Sequence, residues 1–295
     1  MNRGDENRGQ LETRGRAEKI YSVDSIADGI SFGHQPVRIG TEVQPYPELQ
    51  LPDMASAPVP LRTRYLLQKA NPLHELEANL MRLSRQGILR RSHVILGVES
   101  DPFHPFEGRF DATMKFLALF QRYTPGHLTV QTRSALCVIA LPVFAKLGAG
   151  ASVTIGIETP TQEVADRYTP SLPRVADRLR AAETLRRAGI EVTIQVAPVL
   201  PYGDWRKDAE SFAALLIDHA DYISVNTFES GGNERSRRVR GSPLAQLLAN
   251  DRKFHWLRRD SARPLLDAIQ ARAAHKLQRP VRDLAAGRQL SMFGT

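Results

Sequence analysis

The stretch from Ser92 to Gly108, SHVILGVESDPFHPFEG, begins as an apolar run and then turns abruptly into charged residues and prolines. Its first part has the continuous apolar character of a strand that is buried on both faces of a sheet. Its polar continuation contains Glu99, Ser100 and Asp101. Because ligands of parallel β/α folds bind at the carboxyl ends of the strands, this transition predicts a functional edge.

The same alternation continues along the chain. Further apolar strands are predicted in HLTVQT, SVTIGI, IEVTIQVAPVL and DYISVNTF, and helical segments such as RVADRLRAAETLRRAG, DWRKDAESFAALLIDH and ARPLLDAIQARAAHKLQ lie between or after them. Buried strands that alternate with amphipathic helices indicate an α/β fold with a parallel sheet. Five βα repeats are compatible with an open doubly wound sheet or with a barrel. No G-x-G-x-x-G follows the first strand, which disfavours a dinucleotide-binding sheet.

Polar residues follow the other strands as well. Taken singly, each of them is better explained as a solvated loop residue or a helix cap than as a ligand-binding residue. Together, however, they favour a ligand pocket, since buried polar groups are costly unless they pair or meet a ligand. The candidate ligand-binding or cofactor-binding residues are Ser100, Arg133, Ser134, Glu158, Thr159, Gln195 and Asn226.

Several blocks resemble, in order and spacing, the radical SAM proteins related to spore photoproduct lyase. The blocks are VILGVESDPFHPFEG, LTVQTRSAL and VTIGIETPTQEVADRYTPSLPRVADRLRAAETLRRAGIEVTIQVAPVLPYGD. They correspond to the family's T-D-P-Y-Q-P-x-E, T-K-S-x-L, S-x-T-T, R-L-x-A-x-x-x-L-x-x-A-G-I and V-A-P-x-x-P-G segments. The resemblance covers roughly Ser92 to Asn226. It implies a partial (β/α)6 barrel that holds S-adenosylmethionine and a 4Fe–4S cluster at the carboxyl ends of its strands.

The sequence departs from that family at its cofactor motifs. The cluster motif C-x-x-x-C-x-x-C is missing before the first block, and Cys137, which follows it, is the one cysteine of the sequence. A 4Fe–4S cluster is therefore not expected, and no residues are assigned as metal ligands. Arg133 replaces the family's lysine, and Gly156, Ile157, Glu158 and Thr159 replace S-x-T-T. A carboxylate there would repel the methionine carboxylate of S-adenosylmethionine but could accept its ribose hydroxyls or amino group.

Two functions fit these features. One is a cluster-free binding or accessory protein in DNA metabolism or repair, which could retain S-adenosylmethionine or another nucleotide. The other is an enzyme with a partner-supplied or atypical iron–sulfur cluster, or with new acid/base chemistry at the barrel rim. The candidate catalytic residues are Glu99, Asp101, Arg133 and Glu158.

The basic charge of the chain is typical of proteins with a polyanionic partner such as DNA or a nucleotide, and equally of basic proteins that bind no polyanion. The 295 residues carry a formal net charge of +8. Basic residues cluster in NERSRRVRG, 233–241, and in DRKFHWLRRDSAR, 251–263, where they surround aromatic side chains. Basic groups neutralise phosphates and aromatic rings stack on bases. The opposite interpretation, a solvated helix face with Phe254 and Trp256 pointing into the core, is slightly favoured for those two rings.

The ends of the sequence differ in character from its middle. We expect a flexible or extended arm at residues 1–58, the β/α barrel at 59–260, and a C-terminal helix and tail at 261–295. The tail contains QLSMF, which resembles the pentapeptide that binds the bacterial sliding clamp and would use Gln289, Leu290, Ser291, Met292 and Phe293. The alternative, a short apolar tail that folds back on the barrel, is favoured over clamp binding because five-residue motifs often occur by chance. A polar amino terminus and the lack of a long apolar stretch predict a cytoplasmic protein without a membrane span.

Overall fold

The computed structural model describes residues 31–32, 35–36, 72–87, 89–91, 93–97, 101–103, 111–228 and 242–277. The chain divides into two compact units. The first comprises Met1–Leu51 and Pro58–Thr129, and the second comprises Pro52–Ala57 and Val130–Thr295. The predicted arm falls mostly outside the described residues, as do the basic segment 233–241 and the QLSMF tail.

In the described part of the first unit, two α-helices accompany a buried strand and a pair of short strands. The short strands β1 (Ser31–Phe32) and β2 (Gln35–Pro36) pair antiparallel. Helix α1 (Pro72–Arg85), a 3-10 turn (Leu89–Arg91), strand β3 (His93–Leu96) and helix α2 (Ala112–Arg122) follow. Helix α1 begins at its proline, which lacks the N–H that a helix interior needs. The sequence NPLHELEANLMRLSRQG predicts this helix with Leu73, Leu76, Leu80 and Leu83 on one face, and the last three are buried whereas Leu73 is half-buried.

The main sheet has five strands in sequence order, from β3 to β7. The other four strands are β4 (His127–Thr132), β5 (Ala151–Gly156), β6 (Glu191–Val196) and β7 (Tyr222–Val225). Strands β5 and β6 pair parallel with Gly156 opposite Gln195, and β6 pairs parallel with β7. All six residues of β5 are buried, as expected for a strand covered on both faces. The predicted α/β architecture is confirmed, and closure into a partial barrel stays a prediction.

The described helices of the second unit lie between these strands or after the last of them. They are α3 (Leu141–Leu147), α4 (Gln162–Tyr168), α5 (Val175–Arg187), α6 (Ala209–His219), α7 (Pro243–Asn250) and α8 (Arg263–Ala273). Helices α4 and α7 contribute to a cluster of buried side chains, which comprises Tyr168, Leu200, Phe228, Leu244, Ala245 and Leu248. Among the described residues, no helix is both long enough and apolar enough to span a membrane.

Three helix predictions were wrong in their bounds. The sequence CVIALPVFAKLG predicts one helix that is kinked before Pro142, but the segment divides into a 3-10 helix (Ala135–Ala140) and α3, since proline fits only a first helical turn. Helix α6 starts at Ala209 rather than near Asp204, because the Asp204 carboxylate accepts hydrogen bonds from the backbone N–H groups of Arg206 and Lys207 and forms a turn. Helix α8 ends at Ala273, and Leu277 forms an isolated parallel bridge with Ile223 of β7.

Candidate functional site

A buried carboxylate lies between two guanidinium groups in the second unit. Glu158 follows β5 and is 1% exposed. Its Oε1 accepts a hydrogen bond from Nε of Arg133, which directly follows β4. Its Oε2 accepts a hydrogen bond of 2.8 Å from Nη1 of Arg178, in the first turn of α5. We call Arg133, Glu158 and Arg178 the charged triad.

The triad is also bonded to the backbone around it. Arg133 donates from Nη2 to the carbonyl oxygen of Ala197 at 2.7 Å, and Arg178 donates from Nη1 to that of Gly156 at 2.6 Å. The backbone carbonyl of Glu158 accepts a hydrogen bond from the N–H of Leu200 at 3.0 Å. These bonds connect the carboxyl ends of β4, β5 and β6 with α5. The strand ends that were predicted to form a ligand site are thus held together by hydrogen bonds of their own charged side chains.

The arginines keep Glu158 ionised despite its burial. Burial alone raises the pKa of Glu158, but the charges of Arg178 and Arg133 and their hydrogen bonds outweigh that effect and lower the pKa from 4.5 to about 2. A carboxylate with so low a pKa accepts protons poorly near neutral pH. Among the described residues, Nε and Nη2 of Arg178 are buried without a hydrogen-bond partner, so the triad also carries a desolvation penalty.

Gly156 makes room for the pair of Arg133 and Glu158. A Cβ atom at this position would lie 2.7 Å from Cγ of Arg133 and 3.2 Å from Oε1 of Glu158. Both distances are shorter than ordinary van der Waals contact. The resemblance places a serine of S-x-T-T at this position. Gly156 and Glu158 both differ from that motif, and the two differences are linked because the glycine leaves room for the Glu158 carboxylate and its arginine partner.

Two of the predicted ligand residues hold local turns. The Thr159 hydroxyl donates to the carbonyl oxygen of Pro201 at 2.7 Å and accepts a 3.2 Å hydrogen bond from the N–H of Thr161. The Ser134 hydroxyl accepts a 3.3 Å hydrogen bond from the N–H of Leu136 and caps the 3-10 helix. Both residues are buried. Their hydroxyl groups satisfy backbone groups where strands give way to helices.

The other candidates are dispersed. Gln195 and Asn226 are half-buried at the ends of β6 and β7, and the Asn226 N–H donates to the carbonyl oxygen of Val196 at 2.8 Å. Asp101 belongs to the first unit, where it is buried and its Oδ1 accepts a 2.9 Å hydrogen bond from the N–H of Phe103. Glu99 and Ser100 lie outside the described residues. The structure therefore brings together Arg133 and Glu158 among the predicted catalytic residues.

Arg178 is the member of the triad that the sequence analysis did not single out. It lies within the R-L-x-A block of the resemblance, and two signals could have identified it. It falls on the buried stripe of α5 with Val175, Leu179 and Leu185. A charged residue on such a stripe is rare unless it has a buried partner.

The described residues do not fit the cofactors of the radical SAM family. Cys137 is buried in the 3-10 helix after β4, and the sequence holds no other cysteine. A 4Fe–4S cluster normally requires several thiolates. Within the described ranges, no group of three or more His, Cys, Asp or Glu residues could hold a metal ion. Arg133, the residue in place of the family's lysine, has its charge compensated by Glu158.

Comparisons with known proteins give limited similarity. No family model matches the chain, and no curated protein matches it significantly. Spore photoproduct lyase complexed with dinucleoside spore photoproduct matches at 14% identity and a TM-score of 0.49, over 70% of this chain and 65% of that chain. A variant of that lyase with bound AdoMet and dinucleoside spore photoproduct matches at 14% identity and a TM-score of 0.47, over the same shares. The chain thus spans less than two thirds of these lyases, and similarity of this size establishes no family.

Proposed function

We propose that this chain is a cluster-free relative of the radical SAM proteins of the spore photoproduct lyase branch, and that it serves as a binding or accessory protein in DNA metabolism. Its sheet would form the partial (β/α)6 barrel of that group. One observation carries the proposal. The carboxylate of Glu158 already binds Arg133 and Arg178 at the strand-end edge where the resemblance places S-adenosylmethionine.

The triad disfavours the usual placement of S-adenosylmethionine. An incoming methionine carboxylate would approach the negative charge of Glu158. Displacing Glu158 would leave its charge buried without its partners, and uncompensated buried charges are strongly destabilising. A single cysteine cannot ligate a 4Fe–4S cluster in the usual way, so this chain by itself supplies no recognisable electron donor for radical formation.

The acid/base alternative has less support from the triad. Glu158, with a pKa of about 2, is a poor general base, and its two oxygens are occupied by hydrogen bonds from the arginines. Among the described charged residues of the edge, Arg133, Glu158 and Arg178 bind each other. This arrangement favours a structural role for the triad and a binding role for the protein.

The DNA assignment rests on charge and on the C-terminal pentapeptide. A net charge of +8 favours a polyanionic partner. The segment Gln289–Phe293 would bury Leu290, Met292 and Phe293 in an apolar groove of a sliding clamp while Gln289 forms a polar anchor. A variant without these five residues should lose binding to a purified sliding clamp. Full binding by that variant would refute the clamp interaction.

Iron reconstitution tests the proposal most directly. The purified full chain is incubated anaerobically with iron and sulfide, and its metal content and visible absorption are measured. S-adenosylmethionine binding is then measured by calorimetry. We expect no stoichiometric iron and no saturable binding at Arg133. A stoichiometric cluster would overturn the proposal and support the enzyme with an atypical cluster. Saturable S-adenosylmethionine binding without a cluster would instead identify this nucleotide as the ligand of the binding protein.

A further inference from the structure

A cluster of aromatic rings joins the loop after β6 to the 3-10 helix Phe254–Leu257 in the second unit. Its base is buried. Tyr202 lies with its ring centroid 5.3 Å from that of Phe212 and 4.8 Å from that of Trp256, and all three side chains are buried. The Tyr202 hydroxyl donates to the carbonyl oxygen of Trp205 at 2.8 Å. The backbone of Trp205 is therefore anchored to a rigid base.

The outer layer of the cluster reaches solvent. The rings of Trp205 and His255 are 4.2 Å apart and inclined by 37°, and both residues are partly exposed. The guanidinium carbon of Arg206 lies 4.5 Å from the centroid of the Trp205 ring. Phe254 is 59% exposed, so the expectation that it points into the core was wrong, whereas Trp256 is buried as expected. We call the contacting residues Trp205, Arg206 and His255, together with Phe254, the chain neighbour of His255, the aromatic patch.

His255 is suited to stacking rather than to carrying charge. Among the described residues, its Nε2 is buried without a hydrogen-bond partner. The pKa of His255 is lowered from its usual value of 6.5, and burial is the main cause. Asp260 raises this pKa, whereas Arg258 and Arg206 lower it. The imidazole is therefore mainly neutral at pH 7, and its ring extends the surface of Trp205.

The segments that form the patch are rich in exposed basic residues. They carry Arg206, Lys207, Arg252, Lys253, Arg258 and Arg259, all exposed. The acidic residues beside them have partners. Asp204 accepts bonds from two backbone N–H groups, Asp251 pairs with Arg167, and Asp260 pairs with Arg258. Asp208 also lies in these segments, and its Oδ2 accepts a hydrogen bond from the N–H of Asp204. Lys207 and Arg258 are themselves paired with Asp204 and Asp260, but the six basic residues outnumber the four acidic ones, so the surface keeps a positive charge that attracts phosphates.

We infer that the aromatic patch is a stacking surface for single-stranded nucleic acid, an inference that rests on the proposed binding role. Exposed aromatic rings interleaved with basic groups bind single strands because every base has a face that can stack and every phosphate carries a charge. The rings of duplex bases are already stacked on their neighbours. The patch would thus bind an unpaired segment of nucleic acid with little sequence preference.

Binding of a fluorescently labelled oligothymidylate of about 16 nucleotides to the full chain tests this inference. Anisotropy measures affinity, and intrinsic fluorescence gives a second readout, because Trp205 in the patch and the buried Trp256 are the two tryptophans of the chain. We expect quenching that is lost in Trp205→Phe. Phe254→Ala should weaken binding by about tenfold. The matched control Ile139→Ala removes another exposed apolar side chain, 43% exposed, and should stay within about twofold.

The contribution of positive charge to binding is tested with Arg206→Ala. The control is Arg187→Ala, which removes an exposed arginine of α5. Arg206→Ala should weaken binding and lower the salt slope by about 1, whereas Arg187→Ala should change neither. If Phe254→Ala and Ile139→Ala bind the oligonucleotide with equal affinity, the patch is not the stacking surface, although the chain still binds nucleic acid. Absence of oligonucleotide binding, or preferred binding of a duplex of the same length, would also refute it. The iron reconstitution described above decides separately whether the chain is free of a cluster.

Discussion

Arg178 donates a hydrogen bond of 2.8 Å from Nη1 to Oε2 of Glu158, although neither side chain is more than 2% exposed. A buried ion pair gains little net stability while it is intact, because desolvation offsets much of the Coulomb attraction. Removal of one partner is much more harmful, since it leaves an uncompensated charge in the interior. The triad is therefore a place where single substitutions should have large and diagnostic effects.

Glu158→Gln should lower the free energy of unfolding by about 3–5 kcal/mol, because it leaves Arg133 and Arg178 buried without a counter-charge. Urea denaturation followed by circular dichroism measures the change. The control is Glu183→Gln, which breaks the more exposed ion pair with Arg187 on the same helix and should cost less than about 1 kcal/mol. Equal effects of the two variants would show that the triad is not an energetic unit.

The contribution of Glu158 should disappear in acid. Its pKa is about 2 in the folded chain and 4.5 as an unperturbed group, so the folded state favours the ionised form. The resulting stability is present above about pH 5 and is lost as the pH falls toward 2, with a size on the order of 3 kcal/mol. The stability difference between the wild type and Glu158→Gln should therefore shrink between about pH 6 and about pH 3. A stability difference that grows as the pH falls from about 6 to about 3 would contradict the prediction.

Gly156→Ala should destabilise the protein by about 1–3 kcal/mol, because the new Cβ would overlap Cγ of Arg133 and crowd the Glu158 carboxylate. Thermal denaturation provides the measurement. Gly150→Ala is the matched control, since a Cβ at Gly150 would meet no atom within 4 Å. If both glycine variants melt at the same temperature, the close approach of Arg133 to Gly156 does not constrain the site.

Glu158→Ala should create a site for small carboxylates. The substitution removes the anion and leaves two guanidinium groups around the space that it occupied. Acetate or formate should then raise the melting temperature of Glu158→Ala, because a ligand that binds the folded state stabilises it by mass action. Sodium chloride at equal ionic strength should have a smaller effect, and the wild type should not respond to acetate. Equal responses of wild type and variant would indicate a general salt effect.

The order of strands and helices could be predicted from the sequence because it depends on short-range patterns. The apolar run of β5, the proline at the start of α1 and the leucine face of that helix are each visible within one segment. The position of Leu277 beside β7 was not predictable, since Ile223 lies far from it in the chain. The neighbours Phe254 and Trp256 also belong to one short 3-10 turn, which is too brief for periodicity to separate exposed from buried rings.

The sequence by itself determined the α/β architecture, the polar character of the strand ends, the single cysteine and the basic charge. Only the tertiary structure decided that Arg133 and Glu158 pair with each other, that Arg178 completes the triad and that Gly156 leaves room for them. The reason is physical. Local patterns determine which segments become helices and strands, whereas the partner of a buried charge depends on how those elements pack, and Arg133, Glu158 and Arg178 come from three different elements.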